Sequence, residues 1–139
     1  MCFVNCHLAA HVEEFQRRNQ DFRQIWERMI FACPDGTHKY IKDHEYVHNA
    51  MKNRIFVVFT DVLGFFSQIF WFGDMNYRID PKLMPEKVKQ YIEKEHFEPI
   101  LSEDQLKMQM KLGHVFPGFC EGPIKFRPTY KYDPGRLKI

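Results

Sequence analysis

The sequence predicts an α/β fold, and three observations predict it. Short apolar runs at Cys2 to Leu8, Ile55 to Phe59 and Gln68 to Phe72 have the length of buried strands. Other stretches place apolar residues at three- and four-residue steps, the mark of amphipathic helices. The last apolar run ends abruptly in Gly73, Asp74, Asn76 and Arg78. A buried strand does this when it delivers polar groups to a crevice beyond its C-terminal end.

Length and charge set the bounds. At 139 residues the chain is one modest domain with a core of its own. A net charge of +2 and a pI near 8.3 are too mild to argue for nucleic acid as a partner. Cys2, Cys6, Cys33 and Cys120 show no CxxC or zinc-type spacing, so they are expected as free intracellular thiols. Met1 runs straight into strand-like sequence and the chain stops without a capping element, so a piece of a longer protein is expected.

The first strand has two faces at period two. Cys2, Val4, Cys6 and Leu8 share one, and Phe3, Asn5 and His7 share the other. From His11 to Phe31, Val12, Phe15, Phe22, Ile25, Trp26, Met29 and Ile30 predict an amphipathic helix of roughly five turns. Its charged residues, Arg17, Arg18 and Asp21 among them, read as a solvated face. Glu13–Arg17 and Glu14–Arg18 stand in the favourable order for helix pairs. Pro34-Asp35-Gly36 stops the helix.

Thr37 to Arg54 is polar and without period. His44 and His48 stand four apart, but no third ligand accompanies them, so they make a poor metal site. Ile55 to Phe72 has about the length of a membrane span, roughly 18 residues. Asp61 inside it argues against one, because a central acid costs about 2.5–3.5 kcal/mol on insertion scales. Two buried strands, about Ile55 to Phe59 and Gln68 to Phe72, fit the segment equally well, and a membrane span is not expected.

Further on, Pro85 suits the first turn of a helix reaching Glu95, with Val88, Tyr91 and Ile92 inward. Ser102 followed by Gln105 has capping-box form and predicts a helix with Leu106 and Met110 inward, ended by Gly113. The tract from Phe116, rich in glycine, proline and aromatics, reads as loop.

Chemistry concentrates at three places. Asp74 and Asn76, two apart on extended chain, project to one side and together can position a water, a metal or a phosphoryl oxygen. His7 and Asn5 share the polar face of the first strand. Tyr130 and Lys131 offer a hydroxyl and an ammonium. Taken alone, each also reads as an ordinary strand end, edge face or surface turn.

Read together, three segments narrow the choice. Phe3-Val4-Asn5-Cys6-His7-Leu8-Ala9-Ala10-His11, Trp71-Phe72-Gly73-Asp74-Met75-Asn76-Tyr77-Arg78-Ile79 and Phe126-Arg127-Pro128-Thr129-Tyr130-Lys131-Tyr132-Asp133 occur in that order. They closely resemble motifs of the inositol polyphosphate 5-phosphatases. Arg17-Arg18-Asn19-Gln20-Asp21 is similar to the branch containing the Lowe-syndrome (oculocerebrorenal) phosphatase.

The resemblance implies part of a four-layer α/β sandwich of the endonuclease/exonuclease/phosphatase type, like deoxyribonuclease I. It also implies magnesium-dependent hydrolysis of the 5-phosphate of phosphoinositides or inositol polyphosphates. Asp74 would be the general base, Asn76 would orient the water or the phosphorane oxygens, and His7 would donate to the scissile phosphate. Asn5 would help bind substrate, and Tyr130 and Lys131 would grip the 4-phosphate. Arg78 would either bind phosphate or lock the loop, and the second role is the one favoured here.

The family's magnesium-binding glutamate falls outside these residues, as do downstream Asp and His positions. Residues 1–139 therefore read as a partial catalytic domain with an insertion within 35–68, and little or no activity is expected from them alone. The implied setting is cytoplasmic and peripheral at membranes, with no nucleic-acid partner. Two other readings stand beside it: a non-catalytic module for phosphoinositide headgroups, and a truncated product without function.

Overall fold

A computed structural model describes residues 2–43, 56–59 and 68–129. Among these residues the larger of two sheets has three strands in the order β1-β5-β4, where β1 is Cys2–His7, β4 is Phe56–Phe59 and β5 is Gln68–Asp74. β1 and β5 run parallel, with Cys2 opposite Ile69 and His7 opposite Asp74. β4 pairs antiparallel on the far edge of β5. Both segments expected as strands in 55–72 are strands. No helix among the described residues is long and apolar enough to cross a membrane.

Alternation sorts the two faces. Cys2, Val4, Ile69 and Trp71 are buried on one face, against α1 (Phe15–Arg28) and the tract at Val115 to Phe119. Phe22 lies at the centre, its ring 5.0 Å from Trp71 and 4.2 Å from Phe116. Trp71 meets Phe116 and Phe119 edge-on, at 5.3 and 6.1 Å. Such tilted pairs add roughly 0.5–1.5 kcal/mol each beyond the area they bury. The aromatic tract predicted as loop is therefore loop in conformation and core in position.

On the other face Phe3 stacks on Phe70 at 5.0 Å, while Phe3 and Phe72 stay exposed. This apolar face runs upward into His7 and Asp74.

The helix predicted to Phe31 ends sooner. A 3-10 turn (Val12–Glu14) opens into α1, which stops at Arg28. Met29 is already extended, and β2 (Ile30–Ala32) forms an antiparallel hairpin with β3 (His38–Tyr40). The Pro34-Asp35-Gly36 stop is the hairpin loop, where Asp35 accepts from the Thr37 amide and hydroxyl. Hairpin pairing outcompeted the continuing helical period because Ile41 N donates back to Met29 O and buries Ile41 completely.

α2 (Pro85–Glu93) carries Pro at its start and Ile92 inward. α3 (Glu98–Ser102) is short and leads into α4 (Gln105–Lys111). The capping assignment differs from expectation. Asp104, not Ser102, caps α4, accepting from Leu106 N at 2.7 Å and Lys107 N at 3.2 Å. Ser102 closes α3 instead, donating to Pro99 O. A carboxylate next to free helical amides displaces a hydroxyl two residues away. His44, His48, Tyr130 and Lys131 lie outside the described residues.

Candidate active site

The candidate site forms because two parallel strands end together. Parallel register carries His7 and Asp74 to the same level and the same face. Leu8 N donates to Asp74 O at 3.1 Å, so the pairing continues one step past β1. His7 Nε2 stands 3.7 Å from Asp74 Oδ2, with side chains 74% and 69% exposed. A pair this open stabilises the fold little. What it offers is a carboxylate and an imidazole facing one volume of solvent.

Gly73 makes the close approach possible. Its φ of +122° suits glycine, and a Cβ there would stand 2.1 Å from Cys6 O and 2.7 Å from Asn5 Oδ1. The Asn5 amide oxygen therefore lies over Gly73, beside the start of the Asp74 loop. Below it, Trp71 Nε1 donates to Cys6 Sγ at 3.1 Å. Burial pushes the Cys6 thiol up from its ordinary value, against the lowering effect of the Trp71 hydrogen bond.

Asn76 is the most constrained polar residue of the site. Its φ is +56°, a left-handed conformation that asparagine tolerates better than most residues. Its amide donates to Leu8 O at 2.9 Å, and its backbone N–H donates to Asp74 Oδ1 at 3.2 Å. Arg78 folds back on it, with Nη2 2.7 Å from Asn76 Oδ1 and Nε 3.2 Å from Asn76 O. In this structure the guanidinium holds the loop.

Behind the loops lies a buried polar network for which the sequence reading had no role. Arg18, read as solvated, is 0% exposed. Its guanidinium donates to Ala9 O at 3.1 Å, to His11 O, to Val12 O at 3.3 Å and to Gln105 Oε1 at 2.7 Å. The Tyr77 ring lies 5.1 Å from it. Burial lowers its pKa, yet an arginine stays charged, and this charge rests on carbonyl dipoles instead of the Glu14 carboxylate expected to pair with it.

Asn19, Gln105 and Gln109 are buried with it. Asn19 Nδ2 donates to Gln109 Oε1, and Tyr77 Oη donates to Asn19 Oδ1, each at 2.7 Å. Burial raises the Tyr77 hydroxyl well above the ordinary tyrosine value. Asp21, also read as solvated, accepts from Ala9 N at 3.0 Å. One signal was available: Arg18 occupies the step between Phe15 and Phe22 on the apolar stripe of α1.

An open cleft runs from His7 past Ala9, Ala10 and His11 to Glu14 and Arg17. Among the described residues no group of three or more His, Cys, Asp or Glu side chains converges as a metal site. Asp74 and Asn5 still present hard oxygen atoms, the donor type magnesium and calcium take. Magnesium binds through one or two carboxylates plus substrate phosphate and water, so this partial donor set fits it.

Comparison with known proteins places the geometry. The family model described as "Endonuclease/Exonuclease/phosphatase family 2" matches residues 1–138. The type II inositol 1,4,5-trisphosphate 5-phosphatase of Mus musculus is 42% identical over 97% of this chain and 12% of its own length. Human synaptojanin-1 is 37% identical over 96% of this chain and 7% of its own.

A crystal structure of the inositol polyphosphate 5-phosphatase domain of a synaptojanin, in complex with inositol (1,4)-bisphosphate and a calcium ion, superposes with a TM-score of 0.70. It is 34% identical and covers 98% of this chain and 32% of that one. The chain thus spans a small part of the relatives it matches, and its α/β architecture is part of their deoxyribonuclease I-like fold. With nearly its whole length inside the match, it belongs to the endonuclease/exonuclease/phosphatase family 2, and the relatives it is similar to there are named as inositol 5-phosphatases and synaptojanins.

Proposed function

We propose that this chain carries the central part of a phosphatase site that hydrolyses the 5-phosphate of phosphoinositides or inositol polyphosphates with magnesium. The observation that carries the reading is the meeting of His7 and Asp74 at 3.7 Å, at the ends of adjacent parallel strands. Relatives named as inositol 5-phosphatases, and a similar domain holding inositol (1,4)-bisphosphate, support it.

Phosphoryl transfer needs positioning and charge neutralisation more than covalent chemistry. Asp74 takes the proton of an attacking water while the water oxygen bonds to phosphorus. The bond from phosphorus to the inositol oxygen breaks, that oxygen takes a proton from solvent water, and Asp74 returns its own proton to solvent. His7 donates to the scissile phosphate as charge builds on it. Asn76, held at both ends of its amide, keeps the water or the phosphoryl oxygen in line. Asn5 contributes a further polar contact, and Tyr130 and Lys131 grip the 4-phosphate.

Asp74 and Asn5 are the described oxygen donors suited to hold magnesium, which when bound would neutralise phosphate charge. Little turnover is expected from the 139 residues alone. Acting on a lipid, the assembled protein works from the cytoplasm, peripherally at the membrane.

The test measures phosphate release from a 5-phosphorylated inositol phosphate with magnesium, and binding of inositol (1,4)-bisphosphate in the same buffer. The expected result is turnover near background, with binding lost in His7→Ala and in Asp74→Ala. Binding indifferent to both substitutions would sink the assignment of this site. Robust turnover abolished by Asp74→Ala would show instead that the chain is catalytically sufficient.

A further inference from the structure

We infer that Arg18 and Gln105 act as positioning residues, a buried strut that sets how far apart the loops after β1 and β5 stand. The inference rests on the function proposed above, but its test does not depend on turnover. Each of these loops contains a non-glycine residue at positive φ, His11 at +73° and Asn76 at +56°. Such conformations persist only where the surroundings enforce them. Each is held by an arginine on its own carbonyl: Arg18 on His11 O, and Arg78 on Asn76 O.

Gln105 joins the two arrangements. Its single Oε1 accepts from Arg18 Nη2 at 2.7 Å and from the Arg78 backbone N–H at 3.0 Å. Its Nε2 donates to Val12 O at 3.0 Å. A closed circuit results. It runs from the 9–12 loop through Arg18 to Gln105, on to Arg78 and Asn76, and back to Leu8 O.

His7 lies just before this circuit on one strand and Asp74 just before it on the other. The strut therefore acts on the reacting groups through backbone it touches, and meets no substrate itself. A buried charge with only dipolar partners is costly unless its hydrogen bonds are kept. That cost makes the arrangement intolerant of drift, which suits a spacer.

Amide hydrogen exchange by NMR on the whole chain tests this, comparing Gln105→Leu with Gln105→Glu. Glutamate keeps the shared acceptor and loses only the donor to Val12 O, while leucine removes both. In Gln105→Leu the Arg78 amide should exchange about tenfold faster while the amides of β5 keep their rates, and the Asn76 side-chain amide signal should move. In Gln105→Glu the Arg78 amide should stay protected.

Unchanged Arg78 exchange in the leucine variant overturns the strut. So does a rise matched throughout β5, which would mean general destabilisation. If the leucine variant does not fold, Gln105→Met, which also removes the shared acceptor, is measured in its place, and unchanged Arg78 exchange there overturns the strut equally. Should Arg78 respond as expected while inositol (1,4)-bisphosphate binding ignores His7→Ala and Asp74→Ala, the strut stands and the phosphatase reading falls.

Discussion

Asn76 donates its side-chain amide to the main-chain oxygen of Leu8 across 2.9 Å, joining loops 68 residues apart in sequence. The bond holds together the ends of the two strands that bear Asp74 and His7. Arg78 fixes the other end of the same amide at 2.7 Å. Asn76 thus has no freedom to turn its oxygen and nitrogen about.

Arg78→Ala should separate positioning from stability. Arg78 is exposed, so urea unfolding should change by less than about 0.5 kcal/mol. Inositol (1,4)-bisphosphate affinity should fall roughly tenfold, as expected for losing a charge-assisted bond. Undiminished affinity would argue against any role for the locked amide in binding.

Gly73→Ala should be severely destabilising. A Cβ at Gly73 meets Cys6 O at 2.1 Å and sits on a backbone with φ of +122°. Clash and strain together should cost on the order of 3 kcal/mol. A denaturant midpoint within error of the parent would contradict the close β1–β5 approach.

Tyr77→Phe removes the donor to buried Asn19 Oδ1, a 2.7 Å bond. Leaving that oxygen unsatisfied should cost about 1–3 kcal/mol in chemical unfolding. In the parent, burial holds the Tyr77 hydroxyl above its ordinary pKa of 10.0. Folded protein binds that proton more tightly than unfolded chain, so its contribution is complete below pH 10 and declines as pH rises beyond. Spectrophotometric titration should find one tyrosine ionising only at the alkaline end, with unfolding.

Asp104 makes the corresponding prediction on the acid side. Burial raises its pKa above 3.8, against the lowering effect of the amides of Lys107 and Leu106. A raised carboxyl favours the folded state most when protonated, so its contribution is full below pH 3.8 and diminishes as pH climbs through the raised value. Asp104→Asn keeps a cap and removes that titration, so the variant's stability should gain on the parent between pH 3 and pH 7. Asp104→Ala should lose about 1 kcal/mol with the cap. An unchanged pH profile in the asparagine variant would refute the shift.

Much of the fold was legible beforehand. Period-two alternation separated Cys2, Val4 and Leu8 from Phe3, Asn5 and His7, and the structure buries the first set and exposes the second. The apolar stripe of α1 and the stop at Gly113 were also visible in the pattern. Less visible was the early end of α1, because the Met29–Ile41 bond depends on residues that period says nothing about. The same limit applied to Ser102 and Asp104, two candidate caps that local chemistry alone did not rank.

The stretch from Trp71 to Arg78 shows where the division falls. Its residues by themselves determined a buried strand ending in a glycine, an acid and an amide, and so the kind of chemistry available. Only tertiary structure decided that His7 comes alongside Asp74, since parallel pairing joins segments with no local relationship. It also decided that Arg18 faces carbonyls and not water. A polar residue on an apolar stripe has no fixed meaning until the loops folding over it supply its hydrogen-bond partners.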